Sequence, residues 1–398
     1  MTTLDEYAST AARLDAENPL RTARDRFDLP EHESYFLGNS LGPLTHAARA
    51  AVLKTLDDEW RNGIVRTWHD GDWLDLAGAT GDRVAAIIGA PTGSVVAGDS
   101  TSVALFKALS AAASLNRSAE RRVLLCDQRN FPTDRYVARS VADLHGLEFV
   151  EADVESMPTI FGPNVAVMTA SMIDFRSADL HDVAGINTAA HEHGILTVWD
   201  LAHAAGAVKC DVAANNVDFA VGCGYKYLNG GPGAPAYIYA AAHVADRSSQ
   251  PIPGWFGHAE PFAFEDTYRP AAGAARFSSG TTHVLSMKAM HAALGVYAEY
   301  SIDDIRAACI RLGDFFIEGF DAFLSTTGFA LGSRRDGSRR GGHIALLHAD
   351  AERMSKELIS RGLIVDFRPP NVIRVAFSPL FLRFSDVAKL VGELTRLN

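Results

Sequence analysis

The sequence predicts an α/β protein whose core is a parallel sheet covered by helices. Between residues 118 and 245, short apolar runs alternate with helical stretches, the pattern of strands joined by crossover helices. Each run is apolar along its whole length, as expected of a strand buried on both faces. The composition agrees, because 47% hydrophobic and 21% charged residues is the usual balance of a globular protein. The predicted strands of this core are Val123–Leu125, Val165–Met168, Ile195–Trp199 and Val217–Val221.

Further elements are predicted on either side of this core. Before it come a helix and connector ending at Pro30, helices over 45–62 and 78–90, and a strand at Val95–Ala97. After it come long helices over 282–324, an Arg- and Gly-rich loop (333–342) that we expect to be solvated, and strands Ile344–Leu347 and Val372–Ala376. We therefore expect an N-terminal segment (1–45) that packs with the small domain, a large domain (46–280) and a small C-terminal domain (281–398).

Charge and cysteine content exclude several classes of protein. The 398 residues include 37 Lys and Arg against 48 Asp and Glu, a net charge of −11 that disfavours nucleic acid and anionic membranes as partners. The four cysteines form no CxxC pair, so we expect reduced thiols in the cytoplasm rather than disulfides. His191 and His193 lack a third ligand, and no metal site is predicted. The N-terminus does not resemble a signal peptide, and no apolar run is long enough to span a membrane.

Two predicted strands end in residues that can carry chemistry, at the edge where parallel α/β sheets bind ligands. Asp200 directly follows the strand Ile195–Trp199, and His203 comes three residues later; a helix N-cap with a partnered histidine is the alternative. Lys226, one of only seven lysines, emerges from the strand Val217–Val221 into a glycine-rich loop. Burial disfavours an ammonium group, so such a lysine can form a Schiff base.

A cluster of hydroxyl groups, Ser100–Ser102, stands at the start of a predicted helix. Hydroxyls, free backbone N–H groups and the helix dipole together can hold a phosphate, although a plain N-cap is the alternative. Neither a P-loop nor a GxGxxG motif is present, which disfavours a nucleotide. Together with Asp200 and Lys226 the cluster suits pyridoxal 5′-phosphate, since an aspartate keeps the pyridine nitrogen protonated and a lysine bonds the aldehyde. Phe131 is the candidate to stack on the ring.

From about residue 22 to its end, the chain resembles the kynureninase family. The resemblance implies fold type I: a mostly parallel seven-stranded sheet in the large domain, a smaller α+β C-terminal domain, and a homodimer with shared active sites. The matching stretches are Gly38–Gly42, Asp99–Ser102, Phe131–Asp134, Trp199–His203, Tyr225–Gly233, Gly254–His258 and Ile373–Leu380.

The resemblance also implies a role for each matched residue. Lys226 would carry the cofactor and move the α-proton, Tyr225 would act as acid or base in C–C cleavage, and Arg374 would hold the substrate carboxylate through a bidentate pair. His283 is open to two interpretations, a contact to the aryl ring or a satisfied loop histidine. The cofactor-binding residues would be Thr101, Ser102, Phe131, Asp134, Asp200, His203, Tyr225 and Lys226, with Trp255 and Thr281 from the partner subunit. The substrate-binding residues would be Asn39, Ser40, Trp68, His283 and Arg374.

The implied reaction is hydrolysis of the Cβ–Cγ bond of L-kynurenine or 3-hydroxykynurenine, through an external aldimine, a quinonoid and a ketimine. The products would be L-alanine and anthranilate or 3-hydroxyanthranilate, in tryptophan breakdown or in NAD biosynthesis. The segments 171–177 and 282–283 depart from the family, so a modified β-aroyl-alanine is an alternative substrate. A class V aminotransferase or cysteine desulfurase is a second alternative, although Cys223, the cysteine nearest Lys226, lies in a turn rather than on a mobile loop.

Overall fold

The computed structural model describes residues 3–397. Its helices are α1 (Leu4–Glu17), α2 (His46–Lys54), α3 (Thr67–Asp70), α4 (Leu76–Ile88), α5 (Thr101–Asn116), α6 (Pro132–His145), α7 (Val183–Glu192), α8 (Ala242–Ala245), α9 (Val284–Ala293), α10 (Val296–Glu299), α11 (Ile302–Gly319), α12 (Ala351–Ser360) and α13 (Phe384–Leu397). Its strands are β1 (Ser34–Tyr35), β2 (Val95–Gly98), β3 (Val123–Asp127), β4 (Glu148–Ala152), β5 (Val165–Ser171), β6 (Leu196–Asp200), β7 (Phe219–Cys223), β8 (Ala236–Ala240), β9 (Ala330–Leu331), β10 (His343–Leu347), β11 (Leu363–Ile364), β12 (Asp366–Arg368) and β13 (Val372–Ala376). None of these helices has both the length and the apolar character needed to cross a bilayer.

A seven-stranded sheet forms the centre of the larger part of the molecule, in the order β2-β8-β7-β6-β5-β3-β4. Strand β8 runs antiparallel to both of its neighbours, whereas β7, β6, β5, β3 and β4 pair in parallel. The predicted α/β fold with a mostly parallel seven-stranded sheet is therefore confirmed. Because two antiparallel steps separate β2 from β7, β2 points the same way as the parallel strands. The carboxyl ends of β2, β3, β5, β6 and β7 consequently meet at one edge.

Two strands of this sheet, β4 and β8, are absent from the sequence prediction. Strand β4 is a half-exposed edge strand, and Glu148 and Glu151 interrupt its apolar pattern. Strand β8 is fully buried, but its five residues follow directly on the Gly- and Pro-rich loop 230–235. An apolar run that short does not by itself distinguish a strand from the continuation of a loop or helix.

Helix α5 packs on the sheet and begins at the carboxyl edge, immediately after β2. The Ser100 side chain caps it by accepting a hydrogen bond from the Val103 backbone N–H. Small side chains such as Ala108 and Ala112 are fully buried, and they let the helix approach the strands closely. The buried Lys107 ammonium pairs with Asp99 at 2.5 Å and donates to the Phe277 carbonyl at 2.7 Å. The segment after Phe277 is thereby tied to the start of α5.

A second hydrophobic core lies outside the sheet and contains both ends of the chain. It is built on the antiparallel sheet β12-β13-β10-β9 and on helices α11, α12 and α13. Tyr7 of α1 belongs to it, with its ring stacked on Phe315 at 4.2 Å and its hydroxyl donating to the Phe315 carbonyl at 2.6 Å. Asp15 accepts hydrogen bonds from the backbone N–H groups of Phe384 (2.6 Å) and Ser385 (3.1 Å) and so caps α13. The N-terminal helix is thus anchored to the C-terminal one.

The Arg- and Gly-rich loop 333–342 joins the two cores, and the expectation that it is solvated holds for the exposed Arg334 and Arg335 but not for the buried Arg340. Arg334 donates to Glu155 at 2.9 Å and to Asp179 at 3.1 Å, both of which lie on the other side of the boundary. Arg340 is 2% exposed and pairs with Asp314 at 2.6 Å. From the sequence alone, a run of arginines among glycines indicates a solvated loop, because the acidic residues that the arginines contact in the folded chain are not known.

Candidate active site

A cavity of about 310 Å³ lies at the carboxyl edge of the large sheet, between the sheet and the second core. It brings together most of the residues that the sequence predicts, which are Asn39, Ser40, Thr101, Ser102, Phe131, Asp134, Asp200, His203, Tyr225, Lys226 and Arg374. It also includes residues that the sequence prediction missed, namely Thr133, Ser171, Phe175, Ala202 and Arg368. The side chains arrive from seven different parts of the chain, as in other sites at the edge of a parallel sheet.

Lys226 is held in the tight loop that follows β7. The Gly42 N–H donates to the Tyr225 carbonyl at 2.7 Å and ties this loop to the N-terminal segment. Gly224 is required for close packing, because a Cβ there would lie 2.4 Å from the sulfur of Met290. The Lys226 ammonium lies 3.0 Å from Nε2 of His203. The half-buried lysine is therefore aimed into the cavity with a histidine as its neighbour.

Two buried carboxyl groups, Asp200 and Asp134, face the cavity near this lysine. Burial raises the pKa of Asp134 well above its ordinary value, and the nearby Asp200 carboxylate raises it further. Burial also raises the pKa of Asp200, although Lys226 opposes this shift. Asp200 accepts a hydrogen bond from the Ala202 N–H at 2.8 Å, and the side chains of Asp134 and Asp200 share a hydrogen bond. The pair is suited to hold a proton on a nitrogen atom placed in the cavity.

His203 and His343 are buried imidazoles whose rings lie 5.9 Å apart. Burial, and then the charge of Lys226, lowers the pKa of His203 well below its ordinary value. Burial, and then the charge of Arg374, lowers the pKa of His343 to about 3. Both rings are therefore neutral at physiological pH. His343 is a further residue that the sequence prediction missed, since it lies behind His203 and opens a strand of the other core.

Arg374 lies at the opposite wall of the cavity and is 2% exposed. Its Nε and Nη2 donate to the two oxygens of Asp366, at 2.9 and 2.5 Å, and its Nη1 donates to the Phe175 carbonyl at 2.8 Å. The predicted bidentate fork is therefore already occupied by Asp366. One N–H on each terminal nitrogen is left for a ligand carboxylate, so Arg374 can bind it end-on.

Unpartnered polar groups and one exposed aromatic ring complete the cavity. Asn39 is 0% exposed, and within the part of the chain that the structure describes neither its amide oxygen nor its amide nitrogen has a partner. His203 Nδ1 is also buried and unpartnered. Phe131 is 41% exposed and is held edge-on by Phe175, with ring centroids 5.1 Å apart. Buried polar atoms that the protein leaves unpaired indicate that a ligand pairs them.

Four predicted residues do not reach this cavity within one chain. The exposed Trp255 packs against Phe256, and Trp68 stacks on the same Phe256 ring at 6.0 Å between centroids. Thr281 and His283 line a separate cavity of about 500 Å³ beside Asp99. The four residues thus lie on another surface of the molecule.

These residues fit pyridoxal phosphate, because each part of that molecule meets complementary groups. The α5 N-terminus with Thr101 and Ser102 suits the phosphate, Phe131 the ring face and Asp200 the pyridine nitrogen. Lys226 suits the aldehyde, and Nδ1 of the neighbouring His203, buried without a partner among residues 3–397, can bind a polar group of the cofactor. Fold and site together define a pyridoxal-phosphate-dependent enzyme of fold type I.

Comparison with solved structures agrees on the fold. A C-DES mutant with glycine covalently linked to its PLP cofactor superposes with a TM-score of 0.82 at 15% identity, covering 94% of this chain and 98% of that one. The cysteine desulfurase CsdA from Escherichia coli superposes with a TM-score of 0.81 at 19% identity, covering 95% and 98%.

Comparison with known sequences identifies the family. Residues 305–394 match the model of the kynureninase C-terminal domain. The kynureninase of Pseudomonas fluorescens is 38% identical over 390 residues, and that of Deinococcus radiodurans is 40% identical over 387 residues. Each alignment covers 96% of this chain and 94% of the relative. The chain belongs to the kynureninase family, whose members are hydrolases that use pyridoxal phosphate to cleave a carbon–carbon bond.

We expect Lys226→Ala to abolish covalent attachment of the cofactor. The wild-type protein loaded with pyridoxal phosphate should show a visible absorption band, and borohydride reduction should leave the adduct on the peptide that contains residue 226. Both signals should disappear in Lys226→Ala, as measured by absorbance and peptide mass spectrometry. Lys209→Ala is the matched control, since Lys209 is 48% exposed and pairs only with surface carboxylates. An adduct on another lysine, such as the buried Lys107, would refute the assignment.

The buried His343 should make the stability of the protein depend on pH. Its pKa is about 3 in the folded protein against an ordinary 6.5. Between these values the unfolded chain binds one proton more than the folded chain, so the stabilisation present above pH 6.5 is lost as the pH falls toward 3. The free energy of unfolding should decrease by up to roughly 1.4 kcal/mol per pH unit. In urea unfolding of the holoenzyme near pH 5, His343→Gln should remove about that much of the slope.

A control for this prediction is the slope between about pH 8 and 9. There the imidazole is neutral in both states, and wild type and His343→Gln should have equal slopes. Equal slopes near pH 5 as well would show that the histidine titrates alike in the folded and unfolded chain.

Proposed function

We propose that this protein hydrolyses the Cβ–Cγ bond of L-kynurenine or 3-hydroxykynurenine, releasing L-alanine and anthranilate or 3-hydroxyanthranilate. The observation that carries the proposal is that Lys226 and Arg374 face one cavity of about 310 Å³, which is large enough for a cofactor and an amino acid. The 35–40% identity to proteins named kynureninase supports the choice of substrate.

Pyridoxal phosphate, when bound, supplies the electron sink that makes the bonds of an amino acid labile. Lys226 would hold it covalently and then move the α-proton of the substrate with the amine that is released. Asp200 would keep the pyridine nitrogen protonated, with Asp134 beside it. His203 is neutral, as its lowered pKa requires, and can accept a hydrogen bond from Lys226 or from the cofactor without adding charge.

Three groups are proposed to act on the substrate. Arg374 would bind the α-carboxylate through the two N–H groups that Asp366 and Phe175 leave free. The unpartnered amide of Asn39, next to Ser40, would bind a polar group of the substrate. Burial raises the pKa of Tyr225, so its hydroxyl stays protonated near neutral pH. Tyr225 is therefore suited to donate a proton in C–C cleavage rather than to remove one.

We further propose a homodimer in which Trp255 and Thr281, and with them Trp68 and His283, complete the cavity of the partner subunit. The proposal is supported by a group of exposed large apolar side chains around Trp255, which a monomer rarely leaves in water. Those side chains include Phe262 (43% exposed), Phe264 (74%) and Tyr268 (38%).

We propose that the chain is divided into a large and a small domain and that the protein is cytoplasmic. The small domain would combine the N-terminal segment with the C-terminal part, as the second core suggests. Met290 and Leu294 pack in the core of the large sheet and Val296 in the other core, so we place the boundary near 295 rather than 280. The cysteines are free and buried, which suits a reducing compartment. The net charge of −11 supports the absence of nucleic acid and membrane partners.

We expect the holoenzyme to release anthranilate from L-kynurenine. The variant Arg374→Ala should have a KM at least roughly tenfold higher and should keep the visible absorption band of the bound cofactor. The loss follows because the α-carboxylate would lose its charged hydrogen-bond donors. Anthranilate fluorescence measures the rate, with 3-hydroxykynurenine assayed in parallel. Arg335→Ala is the control, since Arg335 pairs with Asp321 on the surface. Formation of a keto acid in place of anthranilate would instead identify an aminotransferase.

The shared site predicts complementation between two inactive variants. Lys226→Ala and Trp255→Ala, co-expressed with different tags and purified through both, should form a heterodimer with one intact and one doubly defective site. Its activity should be roughly half that of the wild type. If Trp255 served its own subunit, both sites of the heterodimer would be defective and no activity would return. Failure to recover any species carrying both tags would rule out the dimer itself.

A further inference from the structure

The cavity contains a second arginine, Arg368, that the reaction outlined above does not use. Its side chain lines the same cavity as Lys226 and Arg374 and is 35% exposed. Its Nη2 donates to Oδ2 of Asp366 at 2.9 Å. Its Nε–H is buried and has no partner among residues 3–397. An unpaired buried donor on a charged group is costly, so Arg368 is suited to bind an acceptor that enters the cavity.

Asp366 holds the two arginines side by side. One of its oxygens accepts from Arg374 and the other from both Arg374 and Arg368, which leaves two cations on a single carboxylate. Arg374 and Arg368 lower the pKa of Asp366, although its burial acts in the opposite direction. Asp366 therefore stays ionised, and the three groups together carry one net positive charge. Both guanidinium groups donate to the same oxygen of Asp366, so they lie next to each other at this wall of the cavity.

The proposed reaction needs two anion-binding groups at different ends of the substrate. The oxygen of water bonds to the side-chain carbonyl carbon, the Cβ–Cγ bond breaks with its electron pair left on Cβ, and Cβ takes up a proton. The carbonyl oxygen gains negative charge as water adds. The former ketone leaves as a carboxylic acid, which loses a proton at neutral pH. The substrate therefore has one carboxylate, whereas the two products together have two.

We propose that Arg368 is the group that binds this second site of negative charge, the side-chain carbonyl oxygen that becomes the carboxylate of the aromatic product. The inference rests on the proposed function, and it assigns the α-carboxylate to Arg374 and the aryl carboxylate to Arg368. A donor that meets charge only as it develops contributes more to the transition state than to substrate binding. Arg368 should therefore affect kcat more than KM.

A purely structural role for Arg368 makes a different prediction. If it only oriented Asp366, its loss would act through Arg374 and weaken binding of the α-carboxylate. Binding of two ligands separates the cases, because benzoate has only an aryl carboxylate and L-alanine has only an amino-acid carboxylate. Arg368→Gln keeps a hydrogen-bond donor without the charge, and Arg368→Lys keeps the charge without the fork.

The test is calorimetric titration of the holoenzyme with benzoate and, separately, with L-alanine. We expect Arg368→Gln to weaken benzoate binding on the order of tenfold and to change alanine binding less than twofold, while Arg374→Gln shows the reverse pattern. Arg368→Lys should recover part of the benzoate affinity. Arg361→Gln is the matched control, since Arg361 pairs with Glu357 and Glu393 on the surface. In kynurenine turnover, Arg368→Gln should lower kcat with KM little changed.

Unchanged benzoate binding in Arg368→Gln would overturn the inference, and so would an equal loss of benzoate and alanine binding. Absence of benzoate binding by the wild-type protein would overturn it as well. Because benzoate binding needs no turnover, this experiment is independent of the proposed substrate. A wild-type protein that binds benzoate through Arg368 but leaves kynurenine intact would support the aryl-carboxylate site and refute the kynureninase activity.

Discussion

Parallel strands place all of their carboxyl ends at one edge of the sheet, and the cavity depends on this constraint. Asp200 ends β6, Lys226 follows β7, and Ser171 ends β5. Strand β8 is antiparallel to both β2 and β7, so β2 runs in the same direction as β7. The N-terminus of α5, which follows β2, therefore lies at the same edge. Residues distant in the sequence thus converge, and one buried layer brings together a lysine, a carboxyl group and a helix N-terminus.

The opposite wall of the cavity comes from the second core, so catalysis requires both cores to hold their relative position. Arg374 bonds the Phe175 carbonyl across the boundary, and Arg334 bonds Glu155 and Asp179. Partly exposed pairs of this kind contribute little to stability one by one. Several of them acting on one loop define its position. The substrate carboxylate would consequently be held at a set distance from Lys226.

The sequence predicted much of this fold because most of its strands are uniformly apolar runs, two of which are followed by reactive residues. It missed β4, whose apolar pattern is interrupted by Glu148 and Glu151, and β8, which continues directly from the Gly- and Pro-rich loop 230–235. It did not identify Phe175 as a cavity residue, because a phenylalanine in this segment matches no catalytic motif. It did not identify Arg368, because Arg374 six residues later is the arginine within the matching stretch Ile373–Leu380. It did not show that Arg340 is buried against Asp314, 26 residues earlier in the chain, or that Arg334 bonds Glu155 and Asp179, which are more than a hundred residues away.

The sequence by itself predicted the fold class and the cofactor, because burial patterns and strand-end residues are local properties, and it indicated the family through its resemblance in specific stretches such as Tyr225–Gly233. Asp200 and Lys226 are recognisable from what immediately surrounds them. Only the tertiary structure decided that Asp366 occupies the fork of Arg374, that Asn39 is buried without a partner, and that Trp255 and His283 lie away from the cavity of their own chain. Each of these features depends on how close in space two segments lie that are far apart in the sequence. Hydrogen bonding and burial are decided by that spatial distance, which the order of residues does not give.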